Sequence, residues 1–268
     1  EINQPQAPAI YLGLVPITRR PDGGLSVGGS GQTVEWAVHM RRFPGDALLS
    51  TVAARDGVDA ALARGIADAV VDYHRTAAAG SDAQAPVQMQ GIIDELAGAL
   101  SAPRLGFDTM QVAGFCAACR RRLETTAALL EKRRVAGAVR RCHGDLHLAN
   151  IVLWHGKPTL FDALEFDEAL ATIDVLYDLA FLLMDLDRHG QRAAANLVLN
   201  RYLWRTQDIG DIEGLAALPL FLALRAGIRA MVTAQRWAQA GQPVGSPQRA
   251  TADTYLETAA RYLFPPPP

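Results

Sequence analysis

The sequence predicts an α+β chain: a small β-piece at the start, then a large, mostly helical piece that carries one further hairpin. Three observations predict it. Two β-branched runs in the first 43 residues are separated by a glycine-rich turn. Long stretches of residues 46–134 and 174–263 place apolar residues three and four apart. Between those helical stretches lies a polar loop followed by a short strand–turn–strand.

The first run, residues 10–18, is apolar and β-branched, and residues 33–43 (TVEWAVHMRRF) alternate in part. The connection RRPDGGLSVGGSGQ holds five glycines, so the two runs predict an antiparallel hairpin, ended by Pro44-Gly45. Val58, Leu62, Ile66, Val70 and Tyr73 then mark one buried helix face. Residues 77–86 are small and polar and predict a loop, and a helix is predicted over 109–132. A short strand and a compact polar loop follow. Next comes a hairpin with strands at 151–154 and 159–161 around a His155-Gly156-Lys157-Pro158 turn. Further helices are predicted over 174–187, 191–204, 215–240 and 251–263. The predicted division is a β-piece with hinge (1–43), a helical lobe (44–264) and the start of a proline-rich linker (265–268).

Composition narrows the function. The chain has 268 residues and is 50% hydrophobic and 20% charged, which suits a globular fold. A net charge of −2 gives no global basic field, so neither nucleic acid nor a membrane surface is predicted as partner. No apolar run reaches the roughly 18 residues of a membrane helix. Three cysteines (Cys116, Cys119, Cys142) are too few for a disulfide framework, so a reducing cytoplasm is expected.

Residues 142–184 carry the chemistry. In an antiparallel hairpin the residue entering the first strand lies beside the one leaving the second, which brings Asn150 and Asp162 to one end of the ladder. An amide oxygen and a carboxylate held this way suit Mg²⁺, a hard cation that wants a few oxygen ligands. Asp145, five residues before Asn150, is placed to accept a proton from a substrate hydroxyl while the metal holds nucleotide phosphates. The spacing H-x-D-x-x-x-x-N, then a hairpin, then Asp, is that of a kinase catalytic loop and its metal-binding aspartate, with Gly144 in place of the usual arginine. Each residue alone is an ordinary Asx-turn residue; the three together, with the hairpin, point to catalysis.

The segments HGDLHLAN (143–150), FDALEF (161–166) and IDVLYDLAF (173–181) resemble the aminoglycoside phosphotransferase and choline kinase-like family. YLGLVPIT (11–18), VEWAVHMRRFP (34–44) and MDL (184–186) resemble the bacterial group of that family fused to a P-loop kinase-like domain. The resemblance implies a protein kinase-like bilobal fold, here with an incomplete N-terminal β-lobe. It implies ATP- and Mg²⁺-dependent transfer to a hydroxyl of a small molecule, and a fused C-terminal P-loop domain as partner. Asp145 would be the catalytic base and Asn150 and Asp162 the metal ligands. His143 would brace the loop, and Asp178 would hold its backbone from the next helix. Met40, Arg41, Arg42 and Phe43 would be the hinge that presents backbone groups to adenine.

The sequence also departs from that pattern. A kinase pairs a small-lobe lysine with the ATP phosphates. This chain has two lysines, Lys132 and Lys157, neither near the first strands. A chain trimmed at both ends explains this, with the lysine lying upstream; a lysine-free kinase or a non-catalytic regulatory module is the alternative. The loop at Gly28–Thr33 lacks the lysine of a P-loop and joins strands. Cys116 and Cys119 have redox or zinc spacing but fit small buried helix residues. Asp145-Leu146-His147 also fits a metallophosphoesterase signature, without its later ligands. Glu165 is one residue out of register for a second metal carboxylate. His74 is expected only to meet the last carbonyls of its helix. Arg225 and Arg229 are expected to pair with carboxylates such as Asp185 or Asp187, or else to meet an anionic substrate group; Asp185 and Asp187 could equally meet a cationic one.

Overall fold

The structure, a computed structural model, describes residues 2–80, 85–243 and 245–264. The predicted linker at 265–268, and residues 81–84 of the predicted loop, lie outside the described residues.

A short helix, α1 (Asn3–Gln6), opens the chain where β-structure was predicted. The reason is tertiary: the Asn3 side chain is drawn into a buried position and bonds to Ala163, which local pattern does not show. Then come β1 (Tyr11–Arg19), β2 (Leu25–Val27) and β3 (Gln32–Met40), in the order β2-β1-β3. The predicted antiparallel pair forms between β1 and β3, with Val15 opposite Ala37 and Pro16 opposite Trp36. The glycine-rich connection is more than a turn, because it contributes β2 to the other edge of β1. Gly28 and Gly29, both at positive φ, turn the chain from β2 to β3.

The sheet ends at Met40, short of the predicted 43, and Pro44 leads into a 3₁₀ turn at Gly45–Ala47. The helical region contains α2 (Leu49–Arg55), α3 (Ala60–Thr76), α4 (Ala85–Leu100) and α5 (Thr109–Val135). Asp59 and Asp108 start α3 and α5 by accepting the N–H groups of Leu62 and Gln111. The site region follows as β4 (Val139–Arg141), β5 (Ile151–Trp154), β6 (Lys157–Leu160), α6 (Glu168–Ala171) and β7 (Thr172–Asp174). β7 pairs with β4; at three residues each, neither declares its partner in sequence. The β5–β6 turn is tighter than predicted. His155 and Gly156 alone form it, at φ 48° and 77°, and Lys157 pairs with Trp154. Two left-handed residues match the right-handed strand twist in a two-residue turn.

The chain closes with α7 (Val175–Arg188), α8 (Arg192–Thr206), α9 (Ile209–Gly214), α10 (Leu218–Gln239) and α11 (Pro247–Leu263). Of these α9 was not predicted, and α11 starts four residues early because Ser246 caps it. One continuous apolar core runs through α2–α5, α7, α8, α10 and α11. A smaller cluster joins the sheet to the hairpin: Ile10, Tyr11 and Val152, with Met40, Phe43 and Phe161 against them. Cys116 and Cys119 are buried in α5 as helix residues, and burial pushes the Cys119 thiol up to about 12. Among the described residues no helix is long and apolar enough to cross a membrane.

A buried ion network fixes the start of α7. Arg133 on α5 binds Asp174 with two hydrogen bonds of 2.7 and 2.8 Å and reaches Asp211 on α9 at 3.2 Å. Asp174 in turn caps α7 through the Leu176 N–H. Truncating Arg133 leaves two buried carboxylates without their cation, a loss of roughly 3–5 kcal/mol. Urea unfolding of Arg133→Ala is expected to show a deficit of that size; a change below about 1 kcal/mol would mean that the network is not holding α7.

Candidate active site

Residues 142–150 run from β4 to β5 as a loop laid along α7. Two α7 carboxylates, seven residues or about two turns apart, hold it. Asp178 is fully buried: its Oδ1 accepts the Gly144 N–H at 2.9 Å, and its Oδ2 accepts the His143 N–H at 3.2 Å. Asp185 Oδ2 accepts the Leu148 N–H at 2.9 Å. The loop is thus pinned on both sides of Asp145. Asp178 also accepts from His74 Nε2 at 3.1 Å, while His74 Nδ1 meets the Tyr202 hydroxyl at 2.9 Å. Burial pushes the Asp178 carboxyl up. The His74 hydrogen bond, with the charges of His74, His143 and Arg225, outweighs that and holds it below the usual carboxylate range.

Asp145 sits at the centre of the loop. Asn150 Nδ2 donates to its Oδ2 and to its backbone oxygen, both at 3.0 Å. His147 Nδ1 accepts the Ala149 N–H, so its proton sits on Nε2, 3.3 Å from Asp145 Oδ2. Burial raises the Asp145 carboxyl, but the His147 bond and charge, then His143 and Arg225, bring it below its ordinary value. Asp145 is therefore an oriented anion with lone pairs to spare for a hydroxyl. With both nitrogens engaged, His147 is a positioning residue for it rather than a free metal ligand.

At the base of the hairpin the Phe161 N–H donates to the Asn150 carbonyl at 3.1 Å, so Asn150 stands opposite Phe161 and Asp162 is the next residue. His143, fully buried, joins loop to hairpin through Nε2 and the Phe161 carbonyl at 2.9 Å. Asp162 takes a left-handed conformation, φ 62°, held by its N–H on the Tyr11 hydroxyl at 2.9 Å. Asn3 pins the following residue by accepting the Ala163 N–H and donating to the Ala163 carbonyl. Glu165 Oε1 accepts from the Asn3 amide. Among the described residues neither Asn150 Oδ1 nor the Asp162 carboxylate has a hydrogen-bond partner. Two hard oxygen donors on one rigid hairpin end fit a divalent cation such as Mg²⁺.

Of the four residues expected as a hinge, Phe43 reaches this end. Met40 closes β3, the Arg41 N–H is spent on the Ile10 carbonyl at 2.7 Å, Arg42 is exposed, and the Phe43 ring meets Phe161 edge-on at 5.1 Å.

Several partners escape the sequence. His74 does not end its helix on carbonyls; it is buried against Asp178. Arg225 does not pair with Asp185 or Asp187. Its Nε and Nη1 donate to the carbonyls of Tyr177 and Gly144 at 3.2 Å, and its Nη2 lies 3.9 Å from Asp178. Asp185 serves the loop, and Asp187 accepts from Tyr262. The only available signals were weak ones: an apolar helix with two arginines, and a histidine on a buried face. Donor atoms of His74, Cys142 and Asp178 cluster in the core, but burial drives the Cys142 thiol far above its ordinary value and its Sγ faces the Ile173 carbonyl. That cluster is packing. A cavity of about 330 Å³ opens on Asp145, floored by Gly144, Tyr177, Phe181 and Arg225.

The model of the phosphotransferase enzyme family matches residues 8–218. Uncharacterized proteins of Mycobacterium tuberculosis and Mycobacterium bovis are 35% identical over 121 residues, 45% of this chain and 23% of theirs. The chain thus spans about a quarter of the length of these curated relatives. Among solved structures, an ethanolamine kinase of Plasmodium vivax is similar at a TM-score of 0.49 and 11% identity, over 86% of this chain and 66% of that one.

Asp178 has a pH signature. Its carboxyl lies lower in the folded than in the unfolded state, so its stabilisation is complete above about pH 4 and is lost as pH falls below that. Asp178→Asn is expected to lose roughly 2–4 kcal/mol at pH 7. The gap to wild type should narrow by pH 3, where the carboxyl of the unfolded chain is already largely protonated. Urea unfolding at both pH values checks this; a gap that is constant with pH would show that the charge is not what holds the loop.

Proposed function

The chain belongs to the phosphotransferase enzyme family, and we propose that it transfers the γ-phosphoryl group of ATP to a hydroxyl of a small molecule. The observation that carries this reading is Asp145: an anion fixed by Asn150 and His147, on a doubly pinned loop, at the floor of a cavity.

Asp145 orients the acceptor oxygen towards phosphorus. As the new O–P bond forms and the bond to the ADP oxygen breaks, the hydroxyl proton passes to the Asp145 carboxylate and then to solvent. The lowered proton affinity of Asp145 suits a loose transition state, in which the acceptor keeps its proton until late and positioning outweighs base strength. Asn150 and Asp162 are the residues to hold Mg²⁺, which supplies charge neutralisation on the phosphates. His143 and Asp178 keep loop and hairpin in register. Met40, Arg41, Arg42 and Phe43 are the proposed adenine contact. A P-loop domain in a longer protein remains the proposed partner, and a reducing cytoplasm the proposed location; all three cysteines are free.

A second reading, a regulatory module without turnover, is favoured by one observation. Lys132 is tied to Glu213 at 2.6 Å on α5 and Lys157 stands in the hairpin, so no lysine lies on β1–β3 where a kinase keeps its phosphate partner.

On a protein that turns over ATP, Asp145→Ala is expected to lower kcat by at least about a hundredfold while leaving nucleotide affinity within about twofold. Asp162→Ala should instead weaken Mg–nucleotide binding itself. ADP release and calorimetry separate the two effects. Full turnover by the Asp145 variant would remove the assignment, and tight ATP binding without transfer to any acceptor would favour the regulatory module.

A further inference from the structure

The cavity above Asp145 has a chemical preference of its own. Its walls come from α4, α7, α10 and the segment between β6 and β7, and most of them are apolar: Ile92, Leu164, Leu170, Ile228, Met231 and Val232. Arg225, Arg229 and Arg236 of α10 also line it, and the Arg229 guanidinium lies 5.8 Å from the Tyr255 ring centre on α11. Steps of four and seven residues keep them within one narrow sector of the helix, about 6 and 16 Å along the axis from Arg225. Arg225 marks the catalytic end, since it bonds the Gly144 carbonyl next to Asp145. Arg236 is exposed and marks the mouth. Among the described residues neither Arg229 nor Arg236 has a salt bridge or a side-chain hydrogen bond. Glu95 is the one acidic wall group besides Asp145, and it lies outside salt-bridge distance of all three arginines.

Two further observations concern what the floor accepts. The Tyr177 hydroxyl and Arg225 Nη2 are buried without any hydrogen-bond partner, and both residues line the cavity. A buried polar group left without a partner is destabilising, and a polar ligand group that reached it would relieve this. The aromatic faces that could attract a substrate cation are already covered: the Arg225 guanidinium lies 4.0 Å from the Tyr177 ring centre and 4.9 Å from that of Phe181. An ammonium entering this space would meet a guanidinium where it needs a π-face.

We infer that the acceptor is a hydroxy acid: an alcohol held at Asp145, an aliphatic body along the apolar walls, and a carboxylate on Arg229 and Arg236. This rests on the phosphotransferase reading only for what happens to the hydroxyl; the charge preference is a property of the cavity. Arg229 and Arg236 set specificity, and a planar guanidinium matches a carboxylate in a bidentate pair.

The test uses the whole chain and three matched series, each with one primary hydroxyl on an aliphatic chain of about four to eight carbons: ω-hydroxy acids, amino alcohols and diols. Calorimetry measures binding with and without Mg–ATP, and ADP release is followed in parallel. The best hydroxy acid is expected to bind at least about tenfold more tightly than the diol of equal length, with the amino alcohol weakest. Arg229→Glu and Arg236→Glu should each cost about tenfold in hydroxy-acid affinity, and Arg236→Lys, which keeps the charge but loses the bidentate pair, should cost less than Arg236→Glu. Amino alcohols or diols binding as tightly as the acids, affinities unmoved by both reversals, or no binding in any series would each overturn the inference. Hydroxy-acid binding without ADP release would uphold the cavity's preference and sink the phosphotransferase reading. ADP release driven by amino alcohols would do the opposite.

Discussion

A carboxylate with no exposed surface stays ionised only if the protein replaces its water with donors, and Asp178 is the point on which this site is built. It accepts two successive backbone N–H groups, an imidazole N–H and, at longer range, a guanidinium. Those donors come from the loop, from α3 and from α10, so one buried charge ties three elements to α7. The desolvation cost explains why none of them is free to move: releasing any one leaves the charge short of a partner. Asp145 inherits its position from that arrangement.

Gly144 shows how tight the result is. Its φ of +81° is left-handed, and a Cβ there would stand 2.6 Å from Leu164 Cδ1. The kinase pattern elsewhere carries arginine after the histidine. In this chain a guanidinium arrives from α10 instead, because Arg225 donates to the Gly144 carbonyl. The same geometry that admits only glycine therefore lets an arginine from a distant helix close over the loop. At the other end, Asp162 is fixed by Tyr11 and its neighbour by Asn3, about 150 residues away in sequence. The two proposed metal-binding residues are thus rigid for different reasons. Asn150 is set by its own loop, and Asp162 by the packing of the first segment of the chain.

This division also decides what the sequence could disclose. Asp145, Asn150 and Asp162 lie within eighteen residues of one another, and hairpin geometry is local, so spacing alone relates them. The two-residue turn is not legible in sequence because nothing in His155-Gly156 excludes Lys157 and Pro158 from it until the register is known. His74, Asp185, Arg225 and Asn3 act on partners 37 to 160 residues away. A buried histidine, a helix aspartate and an arginine in an apolar helix each have ordinary explanations, and no periodicity says which carboxylate will face which guanidinium. The short elements α1, α6, α9 and β7 fail for a related reason: at three to six residues, tertiary contacts outweigh propensity.

Arg225 links the stability of the site to its choice of ligand. Its delocalised cation can pair with Asp178, donate to two carbonyls and lie over two rings at once, which a compact, strongly hydrated lysine ammonium could not do. Once there, it covers aromatic surface at the cavity floor that a cation would otherwise use. A cation-binding version of the same cavity would need to remove Arg225, and removing it would strip a donor from Gly144 and a counter-ion from Asp178. Exchanging the acceptor charge therefore requires rebuilding the loop clamp, whereas lengthening or shortening an anionic acceptor requires only changes at Arg229 and Arg236. If the acceptor is the proposed hydroxy acid, the scaffold fixes its sign more firmly than its size.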